Sequence, residues 1–360
     1  MREEKLTFFW ASFIQHASCF VLLFCSDTSE DRLFEFLTYH TEIAKFDHLY
    51  VYDNSDTSLS NKTLETVTNK FPKNLVSRIP WPHRVCNNNR PMHSNPGERS
   101  SQYAAESSCR ARYGKDTTWM ATLDVDEYLI PTGNWENIRD LLHHITANEK
   151  DTQILSFFQT RALPNAELTV PYDGKSTPSC KGVENNCLMM SRTRTHMETY
   201  NCEPTTHPKP AWAWRAKKQI YRPAFVLNHF VHYPVATRQI IDHPDLDTPR
   251  FMERSPFERR VEEVTEGFLL HAKTTSPDMT ANWKTKCPLK GDSSSNSCKV
   301  GIPSSKLLGV DNNNLQESLP MKKDNNPISV TYEANCYPHF RVMQLVPLLE
   351  QAMKRLSAIV

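Results

Sequence analysis

Residues 118–131 constrain the fold of this chain more than any other segment. They begin as a nearly unbroken apolar run and then carry three carboxylates within four residues, at Asp124, Asp126 and Glu127. An apolar run of this length predicts a β-strand that is buried on both faces. Because residues two apart share one face of a strand, we expect Asp124 and Asp126 to project together while Val125 points into the core.

Two carboxylates held side by side at the end of a strand repel each other unless a cation neutralises them. Mg²⁺ and Mn²⁺ prefer oxygen ligands and commonly take their remaining ligands from phosphate. The pair Asp124 and Asp126 therefore indicates a site for a metal-bound diphosphate. The alternative is a solvated acidic junction, which is the commoner meaning of an isolated Asp-x-Asp. The position of the pair after a buried strand favours the metal site.

Strands and helices alternate through the first part of the chain, which predicts an α/β fold with a mostly parallel, Rossmann-like sheet and helices on both faces. Apolar periodicity and turn signals give the expected order of these elements. They are a strand at 19–25, a helix at 29–45, a strand at 48–52, a helix at 60–71, a strand at 74–79 and a helix at 98–113.

Ligands of such sheets gather at the carboxyl ends of the strands. Asp53 and Asn54 follow the second predicted strand, so we expect them near Asp124. They could accept hydrogen bonds from a nucleoside, although Asp-Asn-Ser is also common turn chemistry.

Beyond residue 131 the alternation is looser. Segments 135–144 and 345–359 predict helices, and 153–158, 224–227 and 267–270 predict strands. Residues 161–216 are rich in Pro, Cys and polar groups, which indicates a loop-rich half that covers the site. Residues 276–327 are polar and poor in aromatics, which predicts a flexible insertion. We expect residues 18–360 to form a single domain.

Charge and cysteine content narrow the class of protein. The 360 residues carry 42 Lys and Arg against 41 Asp and Glu, and this balance argues against nonspecific nucleic-acid binding. The ten cysteines include no Cys-x-x-Cys, which disfavours a structural zinc site. Loop cysteines in such numbers, together with the sequon at Asn61, favour an oxidising secretory lumen. We expect disulfides among five of them: Cys180, Cys187, Cys202, Cys287 and Cys298.

The N-terminus superficially resembles a signal anchor, because residues 7–24 are mostly apolar. Gln15 and His16 interrupt the stretch, and residues 19–25 suit a buried strand better. We therefore interpret residues 1–17 as an undetermined leader, a remnant of an anchor through which the protein would associate with a membrane.

Several ordered segments resemble glycosyltransferase family 92, the type once called domain of unknown function 23. They are Leu33–His40, Phe46–Ser55, the helix carrying Gln102, Ala105 and Cys109, and Trp119–Pro131 with its Asp-x-Asp-Glu. Further along, Lys218–Ile220, His232 and Leu270-His271 resemble the family's later lysine and histidine segments. Ala272-Lys273 stand where Tyr-Arg is common.

This resemblance implies a GT-A-like fold and transfer of a sugar, with galactose the first choice, from a UDP-sugar to a glycan or glycoprotein acceptor. Mn²⁺ or Mg²⁺ would be the cofactor, the reaction would invert the anomeric centre, and the compartment would be the Golgi lumen or membrane. Asp126 would bind the metal, with Asp124 towards the metal or the ribose and Glu127 orienting the turn. His271 would complete the metal shell, with His232 as the substitute; a structural histidine is the alternative.

Other side chains admit two interpretations each. Arg215, Lys217 and Lys218 could contact phosphate or form a solvated basic surface. Trp212 and Trp214 could stack on a sugar or pack in the core. Inversion needs a general base, usually a carboxylate, and the sequence does not choose among five acids: Glu167, Asp173, Glu184, Glu198 and Glu203.

Two other functions are consistent with parts of the pattern. A metal-dependent phosphohydrolase or nucleotidyltransferase would also use paired carboxylates, but it needs acids for a second metal, and no second compact acid cluster follows a buried strand. A catalytically inactive, glycan-binding or scaffolding relative is favoured by the changed residues after His271, whereas the retained Asp124 and Asp126 argue against it.

Overall fold

A computed structural model describes residues 17–20, 30–53, 61–81, 98–162, 165, 169–171, 188–190, 194–204, 217–230, 233–238, 257–272, 298–303 and 330–358. The helices in these ranges are α1 (Glu30–Thr38), continued by a π-helical turn (Tyr39–Ile43), α2 (Asn61–Thr68), α3 (Glu98–Tyr113), followed by a 3₁₀ turn (Gly114–Asp116), α4 (Ile138–Asn148), α5 (His196–Thr199) and α6 (Phe340–Ser357). The strands of the first half are β1 (Ala17–Phe20), β2 (His48–Asp53), β3 (Val76–Pro80), β4 (Met120–Ala121), β5 (Glu127–Pro131), β6 (Ile154–Arg161), β7 (Thr169–Pro171) and β8 (Leu188–Met190). Those of the second half are β9 (Cys202–Pro204), β10 (Lys217–Tyr221), β11 (Val226–Phe230), β12 (Tyr233–Thr237), β13 (Glu258–Arg260), β14 (Gly267–His271), β15 (Cys298–Pro303) and β16 (Val330–Pro338).

The first sheet has the parallel order β1-β2-β3, as the strand–helix alternation predicts. Helix α2 connects β2 to β3, and β4 lies beside β1. β1 covers Ala17–Phe20, so it begins before the predicted segment 19–25, of which residues 21–25 lie outside the described ranges. Asp53 is the last residue of β2, which places it at the carboxyl edge of this sheet.

The second sheet is mixed, so the expectation of a mostly parallel sheet is only partly met. Its order is β4-β10-β6-β14-β5, with β13 also paired to β6. β10 runs antiparallel to both of its neighbours, β4 and β6, and β14 runs antiparallel to β5 but parallel to β6. Hydrophobic periodicity does not distinguish parallel from antiparallel partners for a buried strand, which explains the difference.

The larger of two hydrophobic clusters joins the two sheets and every helix except α3, whose Ala105 and Cys109 belong to the smaller cluster. It contains Leu33 and Phe36 of α1, Leu129 of β5, Leu269 of β14 and Leu349 of α6. All residues from Arg32 to Thr38 are buried, so α1 is an internal helix of this fold. The core thus surrounds the point where β5 and β14 meet. Among the described residues, no helix combines the length and the apolar character required to cross a bilayer.

Candidate active site

The segment 118–131 forms two short strands joined by a turn, which corrects the prediction of one continuous strand. β4 ends at Ala121 and β5 begins at Glu127. The Glu127 N–H donates to the Asp124 carbonyl at 3.0 Å, and the Asp124 N–H donates to Glu127 Oε2 at 2.9 Å. On a continuous strand Asp124 and Asp126 would share one face, whereas the turn gives Asp124 and Asp126 different partners and hydrogen-bonds Glu127 to the backbone. Val125 is buried, as predicted.

Strand pairing brings His271 to Asp126. The last residue of β14, His271, pairs with Glu127, and the Ala272 N–H donates to the Asp126 carbonyl at 2.9 Å. His271 Nε2 then lies 3.2 Å from Asp126 Oδ2. Both side chains keep some exposure, 18% for His271 and 11% for Asp126, so the pair lies at the edge of the buried core. The predicted proximity of these two residues is therefore present in the structure.

The pair is electrostatically coupled. Burial alone would raise the pKa of Asp126, but the hydrogen bond and charge of His271 hold that pKa below its ordinary value. Burial alone would lower the pKa of His271, but Asp126, with Glu127 and Asp124 behind it, raises that pKa above its ordinary value. Arg32, buried in α1, adds a positive charge that also lowers the pKa of Asp126. Asp126 is thus held as a carboxylate in a nearly closed environment.

The other two carboxylates of the turn share one ammonium group. Lys218 of β10 is 1% exposed, and its Nζ lies 3.0 Å from Asp124 Oδ2 and 3.1 Å from Glu127 Oε2. Burial raises the pKa of Glu127 to about 7, against the opposing effect of Lys218. The same two carboxylates outweigh burial and raise the pKa of Lys218. The role expected for Glu127, orienting the turn, agrees with its hydrogen bond to the Asp124 N–H.

The donor atoms of Asp126 and His271 suit a divalent cation. Adjacent ligands of an octahedral ion with bonds of about 2.1 Å lie about 3 Å apart, close to the 3.2 Å between Oδ2 and Nε2. Within the described ranges no group of three or more His, Cys, Asp or Glu side chains is arranged to hold a metal. Asp124 contacts Lys218 through Oδ2, and its side chain is 41% exposed. Its predicted contribution to the metal or the ribose stays a prediction.

Asp53 joins two strands at the edge of the first sheet. Its Oδ2 accepts a hydrogen bond from Arg78 Nε at 2.7 Å, and its carbonyl accepts one from the Trp81 N–H at 2.6 Å. The side chain is 1% exposed. These contacts give Asp53 a structural role at the end of its strand. The expected contact of Asp53 with a nucleoside stays a prediction.

Several sequence-predicted residues lie outside the described residues. They are Asn54, Glu167, Asp173, Glu184, Trp212, Trp214, Arg215 and His232. Of the other two acids proposed as general base, Glu203 falls in β9 and Glu198 in α5, where it forms an ion pair with Arg194. Lys217 pairs with Glu258 rather than lying on a solvated surface. The insertion predicted at 276–327 falls outside the described ranges except for β15.

Three buried polar residues near the site received no role from sequence reasoning. Arg32 and Glu35 lie on the internal face of α1, and Gln159 of β6 contacts His271 Nδ1 through its amide nitrogen. Charged residues inside an apolar helical segment were the available signal for the first two, because such residues are rarely buried without a partner. Gln159 follows the predicted strand 153–158 by one residue, and its position at a strand end was the only signal.

Comparison with solved structures gives distant similarities. A crystal structure of S. aureus TarS is 14% identical over 71% of this chain and 36% of that chain, with a TM-score of 0.30. A mannose-1-phosphate geranyltransferase from Thermus thermophilus is 11% identical over 81% of this chain and 83% of that chain, also with a TM-score of 0.30. The chain thus spans about a third of TarS. A comparison with curated proteins gave no match.

The family comparison is more extensive. The model of Glycosyltransferase family 92 matches residues 15–298, which include both sheets' central strands, the 124–127 turn, Lys218 and His271. The resemblance inferred from the sequence segments is therefore confirmed at the level of the family. This chain belongs to glycosyltransferase family 92 and is a glycosyltransferase.

Proposed function

We propose that this enzyme transfers a sugar from a UDP-sugar, with UDP-galactose as the first candidate, to a glycan or glycoprotein acceptor in the lumen of the secretory pathway, with inversion. The observation that carries the proposal is the meeting of Asp126 and His271 at the junction of β5 and β14. A carboxylate and an imidazole at this separation suit Mn²⁺. They suit Mg²⁺ less well, because nitrogen is a poorer ligand for Mg²⁺ than oxygen is.

In this proposal Asp126 and His271 hold the ion, and the donor diphosphate and water supply the remaining ligands. When bound, a divalent cation acts as a Lewis acid that neutralises the departing diphosphate, an effect worth several kcal/mol. Two protein ligands leave most positions of the ion open, as a site that must bind and release a nucleotide requires.

The residues around the pair prepare it for this task. Lys218 neutralises charge on Asp124 and Glu127, so the repulsion that these carboxylates exert on Asp126 is reduced. The hydrogen bonds of the 124–127 turn fix the backbone of Asp126 before any ligand binds. Preorganisation of this kind saves the energy of reorganising the site during the reaction. Asp124 keeps an exposed side chain that could reach the ribose.

A donor-hydrolysis assay tests the proposal. The purified enzyme is incubated with UDP-galactose, UDP-glucose, UDP-N-acetylglucosamine and GDP-mannose, each with Mn²⁺ and with EDTA, and release of the nucleoside diphosphate is measured. We expect Mn²⁺-dependent release from a UDP-sugar, fastest from UDP-galactose, and faster release when a glycan acceptor is added. Cleavage of phosphomonoesters or nucleoside triphosphates instead would indicate a phosphohydrolase. No turnover of any donor, with glycan binding retained, would indicate an inactive relative.

A further inference from the structure

We infer that Lys218 is a positioning residue for the donor, which holds the carboxylate of Asp124 in place for the hydroxyl groups of the ribose and does not itself contact the diphosphate. The inference rests on the proposed function, because it assumes a nucleotide donor beside Asp124. The sequence leaves Lys218 as a contact to phosphate or part of a solvated surface, and an action through a neighbouring side chain replaces both interpretations.

The register of β10 brings Lys218 to the start of the 124–127 turn. β10 runs antiparallel to β4, and Ile220 pairs with Ala121, the last residue of β4. Continued by two residues, the same register sets Lys218 opposite Leu123. The side chain of Lys218 therefore starts next to the turn, although the two are far apart in sequence.

Polar contacts then brace the turn from the inside. Lys218 Nζ lies 3.0 Å from Asp124 Oδ2 and 3.1 Å from Glu127 Oε2. The same Glu127 Oε2 accepts the Asp124 N–H at 2.9 Å, and the Asp124 carbonyl accepts the Glu127 N–H at 3.0 Å. Asp124 is thus held at its backbone by Glu127 and at its side chain by Lys218. Because Oδ2 faces the ammonium, Oδ1 is the oxygen left for a ligand.

The difference in exposure separates the roles of the two side chains. The side chain of Lys218 is 1% exposed, whereas that of Asp124 is 41% exposed. A diphosphate can reach so enclosed an ammonium only by displacing one of its carboxylates, which would leave a charge without its partner. The exposed carboxylate can accept hydrogen bonds from hydroxyl groups, and an ionised acceptor strengthens such bonds. Contact with the donor thus falls to Asp124, and Lys218 controls its orientation.

The orientation of Asp124 affects binding through entropy. An exposed carboxylate without Lys218 would rotate in water and would have to be ordered each time a ligand binds. A side chain that is already held in the binding geometry avoids most of this loss. Lys218 therefore contributes to affinity for the part of the ligand that Asp124 touches, and not to affinity for the diphosphate.

Calorimetric binding of UDP and of 2′,3′-dideoxy-UDP, each with Mn²⁺, tests the inference. The ratio of their dissociation constants isolates the ribose hydroxyls, because the two ligands share the base and the diphosphate. In the unmodified enzyme we expect UDP to bind about 10-fold or more tightly than the dideoxy ligand, since hydrogen bonds to a charged group are lost. Lys218→Met combined with Glu127→Gln, which removes the buried charge that would lose its partner, should lower this ratio by about 2–10-fold.

An unchanged ratio in this double variant would overturn the inference, and equal weakening of both ligands would assign Lys218 to the diphosphate. A ratio near one in the unmodified enzyme would overturn it too, because Asp124 would then not bind the ribose.

Two control variants exclude other causes of a fall in the ratio. Glu127→Gln alone should keep the ratio, because Lys218 still contacts Asp124. Lys217→Met is matched for lost stability, since it removes the neighbouring lysine and its ion pair with Glu258, whose side chain is 4% exposed. Lys217 leaves β10 on the opposite face, so this variant should also keep the ratio. An equal fall in Lys217→Met would mean that destabilisation accounts for the effect and would overturn the inference.

Hydrogen exchange tests the brace without any ligand. We expect the peptide that carries residues 122–128 to exchange faster in Lys218→Met with Glu127→Gln than in Glu127→Gln alone, because the turn opens more often. Equal exchange in the two variants would refute the role of Lys218. Failure of the unmodified enzyme to bind UDP would instead refute the proposed donor, and the exchange of the turn would still show whether Lys218 holds it.

Discussion

At the scale of residues, the site is governed by how four charges are distributed around one turn. Asp124, Asp126 and Glu127 bring three negative charges, and Lys218 is the cation that contacts two of them. Asp126 is turned away from this ammonium towards His271. This division pairs one carboxylate of the turn with an imidazole that could share a metal ion with it, and the other two carboxylates contact the protein's own lysine.

Lys218→Met should destabilise the enzyme strongly, because it removes the ammonium while Glu127 stays 3% exposed without that partner. Removing one member of a buried ion pair typically costs about 3–5 kcal/mol of unfolding free energy. Asp124 contributes little to this loss, since its 41% exposed side chain is screened by water. Chemical denaturation of the variant measures the effect.

Two controls make this prediction specific. Lys115→Met removes a lysine whose side chain is 79% exposed and should change the unfolding free energy by less than about 1 kcal/mol. The double variant Lys218→Met with Glu127→Gln should recover part of the loss, because no buried carboxylate is then left uncompensated. A double variant no more stable than Lys218→Met would show that packing, and not charge, explains the effect.

Residues with distinctive chemistry could be predicted from the sequence, but their partners could not. Asp126 and His271 each follow an apolar segment that predicts a strand, so their positions at strand ends can be recognised in the sequence. The contacts of Lys218 and Gln159 depend on β10 and β14 pairing with β6, and pairing between distant strands is not encoded in local periodicity. From the sequence, Lys218 is therefore a candidate for contact with phosphate or for a solvated basic surface, and Gln159 has no assigned role.

At the scale of elements, α1 holds together parts of the chain that are far apart in sequence. Glu35 Oε2 accepts the His196 N–H at 2.6 Å, and Oε1 accepts the Met197 N–H at 2.8 Å and the Tyr128 hydroxyl at 3.2 Å. The carboxylate thus caps α5 and contacts β5 two residues after Asp126. One buried side chain fixes α5 relative to the strand of the site.

Glu35→Ala should cost about 2–4 kcal/mol of unfolding free energy, because two backbone N–H groups and one hydroxyl lose their buried acceptor. Thermal and urea unfolding measure the loss. Arg194→Met is the matched control, since it removes the exposed ion pair of Glu198 next to the same helix and should cost less than about 1 kcal/mol. Equal losses in the two variants would mean that the cap does not stabilise α5.

Glu35 also predicts a pH dependence of stability. Burial raises its pKa from 4.5 to about 7 despite the charge of Arg32. The folded protein then holds this proton more tightly than the unfolded chain, so the contribution of Glu35 is fully present below pH 4.5 and is lost as the pH rises through about 7. We expect the unfolding free energy of the unmodified enzyme, minus that of Glu35→Gln, to fall over this interval. A difference that rises or stays constant would contradict the assignment.

Local elements were predicted more accurately than the connections between them. Helix α3 spans Glu98–Tyr113, the range that its periodicity and turn signals indicate, and β2 and β3 lie within two residues of their predicted bounds, while α2 ends three residues early. The error at 118–131 arose because an apolar run does not reveal a hydrogen-bonded turn at its polar end. The antiparallel position of β10 followed from tertiary pairing, which short apolar runs leave open.

At the scale of the whole molecule, disulfide bonds provide evidence about the cellular compartment in which the protein folds. Cys109 and Cys202 are each disulfide-bonded. Cys202 belongs to the five cysteines that the sequence singles out, and Cys109 is an additional one on the buried side of α3. Disulfides persist in secretory compartments and are rare in the cytosol.

We therefore predict that Cys109 and Cys202 resist alkylation in unreduced protein from a secretory expression host, together with Cys180, Cys187, Cys287 and Cys298. Mass spectrometry after alkylation, with and without prior reduction, measures the fraction of each cysteine that is a free thiol. The reduced sample serves as the control for access of the reagent to each cysteine. Complete alkylation of all ten cysteines without reduction would contradict the predicted disulfides and favour the cytosol instead.

The central claim is that Asp126, held against His271, binds the metal on which sugar transfer depends, and Asp126→Asn tests it most directly. Asparagine keeps the volume and the hydrogen bond but removes the negative charge, so the fold should persist while donor turnover with Mn²⁺ falls about 100-fold or more. Asp151→Asn, at an exposed turn, should behave as the unmodified enzyme. Near-normal turnover of Asp126→Asn, maintained in EDTA, would contradict the account.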